Sequence, residues 1–192
     1  MFRHLLALAL LCTSLSAQPF RPDAATLDLL NQGREEEELL RSEQVRLLKS
    51  KSFPEATAVG YVVGSNECLV GTILVDGLKC SLAEGSARVL RKYGWEKVTP
   101  EERARLARLW VEEVLLGFDE SMLQSKPEGF PAKTPFQSPE VVSMLSGTVR
   151  IIAWVQQPPG ASLGRVYRRN LYWFGREGGL MQSRVLERAH GE

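Results

Sequence analysis

Apolar and polar positions alternate with two different periods along this chain, and each period marks its own kind of element. Residues 56–63 and 68–75 are rich in β-branched side chains, and Gly64-Ser65-Asn66-Glu67 between them is turn chemistry, so this segment reads as a β-hairpin. Asp76-Gly77 then turns the chain toward Cys80. A helical period follows. Ser81-Leu82-Ala83-Glu84 is a capping box, Val89 and Leu90 continue the apolar side, and Gly94 is a natural stop. A second helix opens with Thr99 as N-cap, Pro100 at the first position and Glu102 completing another box. Its apolar face carries Leu106, Ala107, Leu109, Trp110, Val114 and Leu115, Gly117 ends it, and Arg103, Arg105 and Arg108 fall largely outside that face, in water.

Before the hairpin, residues 18–26 read as an irregular arm. Residues 27–50 read as helical, with Leu40, Gln44, Leu47 and Leu48 near one side and Gly33 as a possible break. The Glu35–Glu38 run reads as a solvated face supported by Glu37 with Arg41. Between 118 and 139 both periods vanish. Pro127, Pro131, Pro135 and Pro139 exclude a continuous helix, and Phe130 and Phe136 equip the segment either as a partner-binding strap or as a covering loop. The strand period returns at 148–157, 163–174 and 180–190, with Pro158-Pro159-Gly160-Ala161-Ser162 and residues 175–179 as turns. The expected fold is therefore α+β: helices packed on an antiparallel sheet, an N-terminal hairpin and a C-terminal three-stranded meander. A helix layer followed by a curved meander resembles the layout of cystatin-like and NTF2-like folds, a likeness that implies no function.

Residues 1–17 stand apart from this pattern. A basic start (Arg3, His4), an apolar run from Leu5 to Leu11 and a small-residue end form a secretory signal peptide, with cleavage after Ala17 or after Ser16. The apolar run is far short of the roughly 20 residues that cross a bilayer, and Leu11 before Cys12 does not suit a lipid anchor. The mature chain, 18–192, is expected to be one domain, secreted or periplasmic, with no membrane span.

Two cysteines remain after cleavage. In an oxidising compartment Cys68 and Cys80 are expected to pair, closing a loop of about 13 residues worth roughly 3 kcal/mol. The rival reading is a reactive Cys80 thiol just before the Ser81 cap. Of the two histidines, His4 leaves with the signal and His190 lies at a terminus expected to fray, so a His-based nucleophile system or a His-rich zinc site is not expected. P-loop, GxGxxG, HExxH, EF-hand and GxSxG motifs are missing as well, and no cofactor or metal is anticipated. Carboxylate pairs at Glu112/Glu113 and Asp119/Glu120, the second beside the Pro-rich segment, are the raw material for a hydrolase.

Composition adds one useful asymmetry. The whole chain of 192 residues has 24 Lys+Arg against 23 Asp+Glu, which gives no overall steering toward nucleic acid. Residues 148–192, however, hold seven Arg, no Lys and three Glu. If Gln156 faces Leu163 and Phe174 faces Gly179, then Arg150, Trp154, Arg165, Tyr167, Arg169 and Trp173 share one sheet face. Arg184, Leu186 and Arg188 of the third strand would join it. Trp154 would oppose Arg165 as a cation–π pair, and Arg150 and Arg169 would be neighbours with no carboxylate between them. Arginine forks onto carboxylate or phosphate and stacks on rings. The expected function is thus a non-catalytic binding or interaction domain for an acidic protein, a glycan or a small anion.

Overall fold

The computed structural model describes residues 18–63, 67–118, 120–157 and 165–191. The expected signal peptide, turn residues 64–66, Asp119, the 158–162 turn and the Cys68 side chain lie outside the described residues.

Among the described residues, three α-helices and two antiparallel sheets form the expected α+β fold. The first sheet runs in chain order through β1 (Val45–Lys49), β2 (Ala56–Val63), β3 (Glu67–Val75) and β4 (Leu78–Cys80). In the second, two short strands, β5 (Ser121–Met122) and β6 (Glu140–Ser143), share one edge of β7 (Val149–Gln156). The meander continues through β8 (Val166–Phe174) and β9 (Leu180–His190). Helix α1 (Ala24–Asn31) lies on the outer side of the first sheet, where Leu30 packs with Val45, Leu47 and Val59. Helices α2 (Leu82–Lys92) and α3 (Pro100–Trp110) sit between the sheets. One core therefore joins Ile73 of β3, Leu90 of α2, Trp110 of α3, and Ile151 and Phe174 of the meander.

The caps work as the sequence implies, with one exception. Ser81 Oγ accepts from the Glu84 amide at 3.2 Å, and the Glu84 carboxylate accepts from the Ser81 amide at 3.1 Å. Thr99 Oγ1 accepts from the Glu102 amide at 3.3 Å, but the Glu102 carboxylate turns to Arg105 instead of closing a second box. Arg103 is buried, not wet. It donates to the carbonyls of Trp95 (3.0 Å) and Val98 (3.2 Å), satisfying the turn between the two helices. Helix α3 runs on as a π turn, Val111–Leu115, and then passes close to β1. A Cβ on Gly117 would run into Leu48 and lie 2.7 Å from the Glu113 carbonyl oxygen, so only glycine fits this approach.

Residues 27–50 depart most from expectation. The helix stops at Asn31, Gly33 takes φ +78°, and 45–49 is strand β1. The Asn31 side chain accepts from the Leu40 amide at 2.7 Å and donates to the Leu40 carbonyl at 3.1 Å, fixing the loop. Leu47 and Leu48 are both buried because β1 is covered on both sides, by α1 on one and by the central core on the other. A doubly covered strand loses its alternation, and adjacent leucines then imitate a helix.

The expected Cys68–Cys80 bridge does not form, and Cys80 is a free, partly exposed thiol. Cys80 lies opposite Ile73, five residues along β3 from Cys68. That spacing separates their Cα atoms by about 17 Å along the strand, against the roughly 7 Å limit for a disulfide. The turn at Asp76-Gly77 reverses the chain so early that β4 never returns to the start of β3. His190 does not fray: it ends β9 opposite Val166.

Candidate functional site

The six expected site residues depend on the register of the meander. Trp154 lies opposite Arg169, Ile152 opposite Leu171 and Arg150 opposite Trp173. Gln156 faces Tyr167, not Leu163, so the connection is four residues longer than expected. An even shift keeps every side chain on its own face. Arg150, Trp154, Tyr167, Arg169 and Trp173 consequently share the outer face, away from the helices, while Arg165 precedes β8 at its edge. The Trp154–Arg165 pair is not made, because the longer connection places Arg169 opposite the indole.

On β9 the expected grouping divides. Phe174 pairs with Leu180, and bulges at Arg169/Asn170 and Trp173/Phe174 shift the later register. Arg184 falls opposite Leu171 on the outer face, whereas Arg188 falls opposite Arg168 on the other. One extra residue reverses a strand's facing, and no alternation pattern announces it.

The Pro-rich segment then covers half of this face. Trp154 and Tyr167 are 0% exposed, sealed with Ala189 beneath Phe130. Phe130 meets Trp154 edge-on at 5.1 Å, Phe136 edge-on at 5.4 Å and Tyr167 at 4.9 Å. The prolines remove backbone donors, and the strap bends through turns closed by Phe130 N–H to the Pro127 carbonyl and Thr134 N–H to the Pro131 carbonyl, so side chains do most of the anchoring. The same stretch supplies acceptors for the arginines. Arg165 donates to the Glu128 carbonyl at 2.9 Å, Arg169 to the Gln137 side chain, and Arg150 to Glu140 at 3.0 Å. The expected carboxylate-free pair of arginines is therefore not present. Glu140 escaped notice because β6 is too short to carry a readable period.

The uncovered half looks different. Trp173 is 43% exposed, Met181 71%, and Leu145, on the turn between β6 and β7, 99%. Thr148, Trp173, Gly175, Met181 and Gln182 line a groove of about 410 Å³. Arg176 and Arg184 are exposed nearby and carry no acid partner among the described residues. Sequence reasoning included Trp173 and Arg150 but missed Met181 and Leu145. Met181 faces outward only because it sits in the bulge, and Leu145 only because its turn projects.

Carboxylates gather elsewhere. Glu112, Glu113 and Glu120 line a cleft of about 450 Å³ with Ser50, Lys51 and Ser121. Glu112 pairs with Arg108 at 2.9 Å and Glu120 pairs with Arg168. Glu113 accepts from the hydroxyls of Ser50 (2.7 Å) and Ser52 (2.5 Å) and from the amides of Lys51 (3.0 Å) and Ser52 (2.8 Å). Burial pushes its carboxyl up, but these donors, the Ser52 hydroxyl foremost, outweigh that and hold it below the usual carboxylate range. A general acid needs the opposite shift. Glu113 instead locks the loop between β1 and β2.

A pH-dependent stability follows. A depressed carboxyl stabilises the fold above its unfolded value near 4.3 and loses that contribution as pH falls through its lower folded value. Glu113→Ala is expected to cost about 1–2 kcal/mol at neutral pH, with the difference from the parent shrinking on acidification. Urea melts at pH 7 and pH 3 check this; an unchanged difference between the two would exclude the carboxylate lock.

No group of three or more His, Cys, Asp or Glu placed to hold a metal occurs among the described residues, and none of the described helices is long and apolar enough to cross a membrane. No protein-family model matches the chain, and neither a curated protein nor a solved structure matches it significantly.

Proposed function

We propose that the protein is an exported, non-catalytic binding domain that takes an acidic protein partner on the uncovered half of the second sheet. The observation that carries this reading is the exposed Trp173–Met181 groove standing beside Arg176 and Arg184, two cations without acid partners among the described residues. Tryptophan and arginine are the side chains that most often anchor protein interfaces, and the groove offers an apolar seat between forked cations. The Pro-rich strap supports the reading from behind. It keeps Trp154 and Tyr167 out of water and presents only the remaining half of the face. Export rests on the character of residues 1–17.

The test uses the exported form, whose first residue should be Gln18 or Ala17, titrated with a labelled random copolymer of glutamate and tyrosine. Binding should be saturable and weaken as salt rises, since exposed charges are screened within about 8 Å at physiological strength. Trp173→Ser combined with Arg184→Gln should lower affinity about tenfold, equivalent to about 1.4 kcal/mol. Arg165→Gln, at a guanidinium already engaged by the Glu128 carbonyl, should leave it unchanged. Preference for heparin or inorganic phosphate over the copolymer would reassign the face to a glycan or anion. Equal affinity of all variants would remove the face from consideration.

A further inference from the structure

A second site lies on the opposite side of the same sheet. Where α2 and the end of α3 stop covering the inner face of β8 and β9, a cleft of about 230 Å³ remains between the two sheets. Leu69, Leu82 and Leu115 supply apolar walls, and Ser183, Arg184 and Val185 stand on its β9 side. Arg168, Asn170 and Tyr172 of β8 line it as well, three polar side chains at alternate positions on a face that is otherwise core.

These groups are incompletely satisfied. Asn170 is 6% exposed, and its Nδ2 donates to the Tyr172 hydroxyl at 2.8 Å. Its Oδ1 has no partner, nor has Arg168 Nε. The Tyr172 oxygen is used as an acceptor, which leaves its own proton to donate. Burial pushes the phenol up, so that proton stays on. A buried polar atom without a partner is unfavourable and rare, and a valine or leucine would fill this position on the strand without that penalty.

We infer that this cleft binds a small neutral amide with a compact apolar body. The carbonyl of such a ligand takes the Tyr172 hydroxyl or Arg168 Nε, and its N–H goes to Asn170 Oδ1. Hydrogen bonding selects for the amide: a carboxylate brings no N–H for Asn170 Oδ1, and an ammonium would enter beside Arg168 and Arg184, with Glu120 already paired to Arg168. The volume of about 230 Å³, that of about eight waters at about 30 Å³ each, sets the size.

The probes are 2-pyrrolidinone as the neutral amide, and isobutyrate and isobutylammonium as charged compounds of similar bulk, each followed by amide NMR of the full mature chain. 2-Pyrrolidinone should shift residues 168–172 and 183–185 saturably, with a Kd of about 1–10 mM for so small a fragment, and both ions should bind at least about tenfold more weakly. Val185→Trp, which plugs the cleft from a partly exposed position, should abolish the shifts without lowering the melting temperature. Asn170→Leu should weaken binding about tenfold or more. Lack of saturation, equal binding of isobutyrate, or survival of binding in Val185→Trp would overturn the proposal and leave a cleft that holds only water. Arg184 borders both sites, so Trp173→Ser, which touches the outer face alone, separates them: it should weaken copolymer binding and leave the 2-pyrrolidinone shifts unchanged.

Discussion

Replacing Phe130 by alanine should destabilise the protein by about 3–4 kcal/mol, the range for losing a buried phenylalanine together with the cavity it leaves. Phe130 is 5% exposed and touches the rings of Phe136, Trp154 and Tyr167, so one truncation removes the centre of a four-ring cluster. Apart from the Arg165 bond to the Glu128 carbonyl and the Arg169 bond to Gln137, both partly solvent-facing, little else ties the strap to the sheet, because its prolines cannot donate to β7 or β8. Urea melts give the magnitude. Local release would also shift Trp154 emission to the red and open residues 123–139 to protease while the far-ultraviolet dichroism stays constant. A loss below about 1 kcal/mol, with no change in proteolysis, would mean that the strap is held by something other than this ring. Release would also expose Trp154 and Tyr167 and free Arg165 and Arg169 from Glu128 and Gln137. If these groups extend the proposed binding face, the variant gains affinity for acidic copolymer while it loses stability.

Glu120→Ala should cost about 3–5 kcal/mol, because it leaves Arg168 charged and without its counterion in a largely buried position. The side chains are 13% and 12% exposed, and Gln157 also donates to Glu120 at 3.5 Å. Removing both charges is a different experiment. Glu120→Leu with Arg168→Met should come within about 1–2 kcal/mol of the parent, since desolvation offsets most of the attraction in a buried pair. Chemical denaturation of the single and double variants separates the two terms. A single variant as stable as the parent would show that water reaches Arg168. Both residues line the inner cleft, so the double variant also tests whether Asn170 and Tyr172 bind 2-pyrrolidinone without the charged pair.

Much of the local structure could be read without coordinates. The hairpin, α2, α3 and all three meander strands appear where period, cap and turn residues place them, because each of those signals is local. Even the outer face of the sheet survived a wrong register, since an error of four residues preserves parity. Helix-like spacing at 27–50 misled for a definite reason. Burial on both sides of β1 erases alternation, and nothing nearby in sequence shows that α1 covers one side.

The candidate site was less legible, and the difference lies in contact distance along the chain. Residue type and alternation alone determined that arginine and aromatic side chains would gather on one side of the C-terminal sheet. Whether that side is open was decided by Phe130, 24 residues before Trp154 and 37 before Tyr167, folding back over both. Whether its arginines are free was decided by Glu128, Gln137 and Glu140, which alternation cannot connect to β7 and β8. The missing disulfide has the same origin: cysteine count is a sequence property, but the early turn at Asp76-Gly77 fixes how far along β3 the second cysteine lands. Composition and period set which groups each strand presents. Only tertiary packing sets what covers them, because covering depends on encounters between segments whose sequences carry no record of each other.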